Sequence, residues 1–109
     1  MWVPDAIEWS ADGIDYIGSR STRYPGAVDI EPGWTQEALT DPDLIAFEPD
    51  PKSRMGASRF IGESPSAGTV LVVIGYRDLD GDLHGINAWP ATGTDLDLYA
   101  AGASNGEDD

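Results

Sequence analysis

The run TVLVVIGY, from Thr69 to Tyr76, constrains the fold more than any other stretch of the chain. Val70, Leu71, Val72, Val73 and Ile74 follow one another with no polar break. The run is too short for a typical buried helix and rich in β-branched side chains, which favour the pleated chain. An unbroken apolar strand is buried on both faces, so it belongs near the middle of a sheet. The expected strand core is Val70, Val72, Ile74 and, from the strand that follows, Ile86.

Neighbours for that strand are readable on either side. Leu44 to Phe47 and Ser58 to Gly62 read as strands, and ESPSAG between the second of these and Thr69 reads as a hairpin connection. Leu83 to Trp89 is the strand after it. Met1 to Trp9 supplies a short first strand. A weak helix is expected near Asp12 to Ile17, limited by Gly13 and Gly18. A second helix, capped by Asp29, runs to about Leu39, with Ile30, Trp34 and Ala38 on one face. Pro32 suits its first turn, and the TDPD turn ends it. Thr94 and Asp97 resemble a capping pair opening a last helix, which Gly102 stops. The fold class implied is α+β, a central, mostly antiparallel sheet with helices packed on one side.

The 109 residues are expected to form one domain over 1–102, followed by a disordered acidic tail over 103–109. No run approaches the roughly 18 apolar residues of a membrane span. No basic leader precedes an apolar stretch, so the expected setting is the cytoplasm. Cysteine is absent, which excludes disulfides and thiolate chemistry. The single histidine excludes a multi-histidine zinc site within one chain. No Walker A loop or dinucleotide fingerprint occurs, and no cofactor is expected. GESPSAG is not a nucleophile elbow, because Ser66 stands where glycine is needed and no helix follows.

Charge is the strongest compositional signal. Twenty acidic residues face six basic ones, for a net charge of -14. Such a field opposes phosphate-driven nucleic-acid binding over most of the surface and favours cationic partners. The stretch YRDLDGDLHGINAW, Tyr76 to Trp89, concentrates the question. Asp80-Gly81 signals a type I′ hairpin turn. An EF-hand calcium loop counted from Asp78 would need glycine and glutamate where Leu83 and Trp89 stand, so no metal site is expected. Asp78, Asp80 and Asp82 then form a solvated tip.

The order of these pieces resembles the BrnT-type toxins of bacterial toxin–antitoxin pairs. Ile7-Glu8-Trp9 is similar to the family's opening phrase. Tyr24-Pro25-Gly26-Ala27-Val28 stands at its Lys-His-Gly-Val turn, and Gln36 to Leu39 ends the helix that follows. Asp41-Pro42 matches its Asp-Pro turn. Ser58 to Gly62 matches its arginine-bearing strand, Leu71 to Tyr76 its apolar strand, and His84 to Trp89 its last strand. Ala91, Asp95, Tyr99 and Gly102 match its closing helix. The resemblance spans nearly the whole chain. It implies a RelE-like fold, a metal-independent ribonuclease activity and a basic antitoxin partner. Two departures bear on activity: the chain is acidic, and Trp89 replaces the arginine that closes the family's last strand.

Under that resemblance the candidate catalytic residues are Arg59, His84 and Arg77. Arginine would stabilise the phosphorane charge, and histidine would move a proton near neutral pH. Tyr99 would approach from the last helix. The plain alternative is a partly buried, hydrogen-bonded histidine and arginines on a polar face. RNA contact requires Arg20, Arg23, Lys52, Arg54, Arg59 and Arg77 to gather into one basic patch. The second function class is a non-enzymatic acidic module that grips a basic protein or imitates nucleic acid. Trp34 is expected in the core, and Trp89 in the core or at a partner surface.

Overall fold

A computed structural model describes residues 6–107, with side chains through Gly102. The elements are β1 (Ile7–Glu8), α1 (Ala11–Gly18), α2 (Arg20–Arg23), α3 (Pro32–Leu39), β2 (Ile45–Phe47), β3 (Ser58–Ser64), β4 (Thr69–Arg77), β5 (Leu83–Pro90) and α4 (Gly93–Glu107). The first five residues of the expected opening strand lie outside the described residues. The fold is α+β, and one five-stranded sheet has the order β1-β5-β4-β3-β2. All pairs are antiparallel except β1 with β5.

The TVLVVIGY run therefore occupies the central strand, as its composition requires. Alternation sends its side chains to two separate cores. Leu71 and Val73 join Phe60, Leu83 and Ala88 beneath α1 and α3, where Ile17, Ile30, Ala38 and Leu39 close the face. Val72 joins Ile61 and Ala91 on the opposite face, with Val70, Ile74, Trp89, Leu98 and Tyr99 packed around them. Leu71, Val72 and Val73 are fully buried, each worth about 1.5–3 kcal/mol of transfer free energy. Of the expected strand core, Val72 is fully buried, while Val70, Ile74 and Ile86 are half-buried. Trp34 packs against the first core as its helical spacing implies.

Helical cover is two-sided, where the sequence pattern predicts one side. A strand apolar on both faces has to be covered on both, and α4 supplies the second layer. Gly102 does not stop α4, which continues to Glu107. A Cβ there would lie 2.5 Å from Ile45 Cδ1, so this glycine lets the helix approach β2. Residues 108 and 109 lie outside the described residues.

Local capping also departs from expectation. α3 starts at Pro32, and Asp29 does not cap it. The Asp29 carboxylate instead accepts hydrogen bonds from the Ser21 amide (2.7 Å) and hydroxyl (2.9 Å), which holds α2 against the approach to α3. Those bonds, the backbone one first, draw its carboxyl below the usual range. Ile30 remains in the core because its amide bonds the Ile17 carbonyl. α4 begins at Gly93, one residue before the expected Thr94 cap.

Candidate functional site

The hairpin joining β4 to β5 is not the type I′ turn that Asp80-Gly81 suggests. Among the described residues, none other than glycine has positive φ, and Gly81 sits at φ 88°. The Gly81 amide bonds the Asp78 carbonyl and the Asp78 amide bonds the Asp82 carbonyl, both at 3.0 Å. That pattern is a type I turn closed by a left-handed glycine, a three-residue loop. Asp78 organises it. Its Oδ1 accepts the amides of Asp80 (2.9 Å) and Asp82 (3.0 Å), and its Oδ2 accepts His84 Nε2–H at 2.8 Å. The carboxylates of Asp78, Asp80 and Asp82 offer oxygens within 4.8 Å of one another. Those of Asp80 and Asp82 are exposed, while both Asp78 oxygens are engaged in the turn.

His84 is placed by this turn and by β4. Its ring stacks on Tyr76, its cross-strand partner, with centroids 5.0 Å apart and planes 22° apart. Glu8 Oε2 on β1 lies 4.0 Å from Nε2. The hydrogen bond to Asp78 raises the imidazole pKa above its ordinary value, and the charges of Asp78, Glu8 and Asp82 add to this against a smaller opposing effect of burial. Reciprocally, the His84 bond and then the Asp82 amide lower the Asp78 carboxyl.

Beside His84 lies an open cavity of about 450 Å³. Glu8, Asp12, Tyr16, Tyr76, His84 and Gly85 form most of its wall. Ser10, which caps α1 by accepting the Gly13 amide at 3.0 Å, stands at its edge. Trp9 packs behind Gly85. Its indole N–H donates to Thr35 Oγ1 at 2.9 Å, and its ring lies so close over Gly85 that a Cβ there would be 2.4 Å away.

Arg59 is held elsewhere and differently. Its side chain is 12% exposed, and its guanidinium pairs with Asp95 at the start of α4. Asp50 Oδ2 lies 3.0 Å from Nε, but off the N–H direction, so Nε is buried with charge compensation and without a hydrogen bond. The Phe47 ring lies 4.7 Å beneath the guanidinium carbon. Arg77 donates from Nε to Glu48 (2.9 Å) and from a terminal nitrogen to the Gly81 carbonyl (3.0 Å). It lines a small cavity with Leu39, Phe60 and Leu83, on the α3 face of the sheet.

The three sequence candidates are therefore not one constellation. Tyr76 and Arg77 are consecutive on β4 and face apart, which separates Arg77 from His84. Arg59 pairs with Ile74 and His84 with Tyr76, on strands two apart. Sheet spacing puts their Cα atoms about 12 Å from each other. The other basic residues follow no common plan. Arg23 stacks over Tyr16 at 4.1 Å and Arg20 over Tyr24 at 5.8 Å, on α2, while Lys52 and Arg54 lie exposed between β2 and β3. Tyr99 donates to Asp41 Oδ2 at 2.6 Å and is raised well above the usual phenol range, by burial first and by that bond second. It joins α4 to the α3–β2 turn and faces neither Arg59 nor His84 in any of these contacts.

Sequence reasoning missed the cavity because Glu8, Asp12 and Tyr16 come from elements far from the hairpin in the chain. The one available signal was the spacing of Asp78 and His84 across a tight turn, which places them for a hydrogen bond. Among the described residues no helix is long and apolar enough to cross a membrane. Comparisons with protein-family models, with curated proteins and with solved structures find no match to this chain.

Proposed function

We propose that this chain is a non-enzymatic acidic interaction module that binds a basic protein, built on a scaffold of the RelE-like, toxin-like kind its motif order resembles. The observation that carries the reading is Arg59. A strand arginine needed for a phosphorane would have to be open to RNA, yet this one is enclosed by Asp50, Asp95 and Phe47. With Arg77 on Glu48, the basic residues of the sheet are compensated internally, and the net charge of -14 is left to the surface. Charge of that sign steers cationic partners and repels phosphate. The basic partner fits an antitoxin arm or a DNA-binding protein, and the setting we assign is the cytoplasm.

The test is binding of an arginine-rich decapeptide to the full chain across a salt series. Affinity should fall steeply as the Debye length contracts to about 8 Å. Binding indifferent to salt, or no binding, overturns the reading.

A second reading, a toxin-like metal-independent endoribonuclease with reduced activity, is favoured by the Asp78–His84 pair beside an open cavity. Expression in a bacterial host decides it. Growth arrest relieved by His84→Ala, together with RNA cleavage by the pure protein, would replace the first reading.

A further inference from the structure

The cavity beside His84 combines three properties. It is concave, and its volume of about 450 Å³ falls within the range of sites that hold small ligands. Its walls carry aromatic rings: Tyr16 and Tyr76 are 43% and 45% exposed, and with Arg23 over one face of Tyr16 and His84 stacked on one face of Tyr76, a ligand has the remaining face of each. Carboxylates stand at its rim. Glu8 is more than half exposed, and Asp12, on the first turn of α1, has no hydrogen-bond or ion-pair partner among the described residues. Asp12 also favours its helix through the dipole, which requires only charge and not this position on the wall. No lysine or arginine lines the cavity.

Rings and carboxylates together select a cation, and a planar one best, because guanidinium stacks on an aromatic face while its edge donates to carboxylate. The molecule already shows the affinity within itself, where Arg23 lies over the Tyr16 ring at 4.1 Å. An anion is disfavoured by Glu8 and Asp12, and an apolar ligand would leave Asp12 without a partner in a partly enclosed space.

We propose that this cavity seats one arginine side chain of the basic protein partner, with the guanidinium between the Tyr16 and Tyr76 rings and paired to Glu8 and Asp12. The proposal rests on the acidic-module reading for its partner and on the cavity for its geometry. His84 is the built-in reporter of occupancy. It faces Asp78, Glu8, Asp82 and the Tyr76 ring. A second cation beside it would penalise its protonated form, so binding lowers the imidazole pKa and, by linkage, acidification weakens binding.

The experiment titrates the full chain with N-acetyl-arginine amide and follows aromatic and imidazole proton signals. Tyr16, Tyr76 and His84 should shift together and saturate, and the uncharged citrulline analogue should shift none of them. Glu8→Gln with Asp12→Asn should weaken binding at least about tenfold. Asp43→Asn with Glu63→Gln, which removes the same charge from another exposed place, should weaken it less than about twofold. If the first pair perturbs folding, Tyr76→Leu supplies the same tenfold test. Shifts confined to other residues, equal weakening by both pairs, or an unchanged His84 pKa at saturation overturn the seat. An arginine-rich decapeptide separates the two ideas. Peptide binding that responds alike to both pairs overturns the seat and leaves the acidic module standing. Arginine amide bound in the cavity with no peptide binding overturns the module and leaves the seat.

Discussion

Arg59 and His84 belong to the same sheet, and each is answered by carboxylates, yet one pairing is closed and the other open. Arg59 is 12% exposed, roofed by α4 and floored by Phe47. His84 is 31% exposed and opens on a cavity. In the closed region the charges tie β3 to α4 and to the loop after β2, and little of the guanidinium reaches solvent. In the open region the same kinds of groups keep unused valence. The difference shows what residue type alone leaves open: the arginine that the motif order singles out is paired and mostly buried, while the tyrosines and acids around the histidine are exposed.

The strongest way to break this contrast is at Arg59. Arg59→Ala leaves Asp50 and Asp95 facing each other under α4, and should cost on the order of 3 kcal/mol in urea unfolding, with no loss of arginine binding at the cavity. A smaller cost, together with lost binding, would mean that Arg59 is the functional group after all. Gly85→Ala comes next. The added Cβ meets the Trp9 ring, displaces the indole from Thr35 and should cost about 1–3 kcal/mol, read by unfolding and by a shifted tryptophan emission. It should also disturb the cavity, because Gly85 is part of its wall.

A third test uses pH. His84 is raised in the folded state, so its contribution to stability is complete below its unfolded pKa of about 6.5 and is lost as pH rises through the folded value. Asp78 is lowered, so its contribution is present above about 3.9 and lost as pH falls through its folded value. The pair therefore stabilises most between those limits. The deficit of His84→Gln relative to the native chain should be largest near pH 5 and shrink toward pH 8. A deficit independent of pH would reduce the histidine to a packing residue. The smallest effect is expected from Asp80→Asn with Asp82→Asn. The urea midpoint should not move, and association with a basic peptide should slow modestly, because these carboxylates are exposed and outside the cavity wall.

The sheet was legible because its signals are local. TVLVVIGY names its own position, and Ser58 and Leu83 open their strands where the pattern puts them. The two-sided helical cover follows from the same run, but only if its burial on both faces is carried through to the helices. Capping was less legible, since Asp29 accepts from the Ser21 amide and hydroxyl, eight residues back in the chain, and not from α3. The turn at Gly81 differs in type from the one Asp80-Gly81 signals, because Asp80 keeps negative φ and only the glycine turns left-handed. The candidate site was least legible. Its wall joins β1, α1, β4 and β5, and the parallel pairing of Ile7 with Leu83 and Glu8 with His84 is what brings β1 to the β4–β5 hairpin.

That pairing, and its counterpart at the other margin, governs how the protein survives crowding by its own copies. The sheet ends on β1, two residues long, and on β2, three residues long. Neither strand is itself long enough to template growth of a cross-β stack, although β5 beyond His84 and β3 beyond Ile61 have no strand partner on that side among the described residues. The one segment with the composition of a fibril seed, Val70 to Ile74, lies in the third of five positions, with β3 and β5 zipped along its flanks. Fraying at either margin leaves it masked. Only collapse of the whole sheet uncovers it, so resistance to self-assembly is tied to global rather than local unfolding.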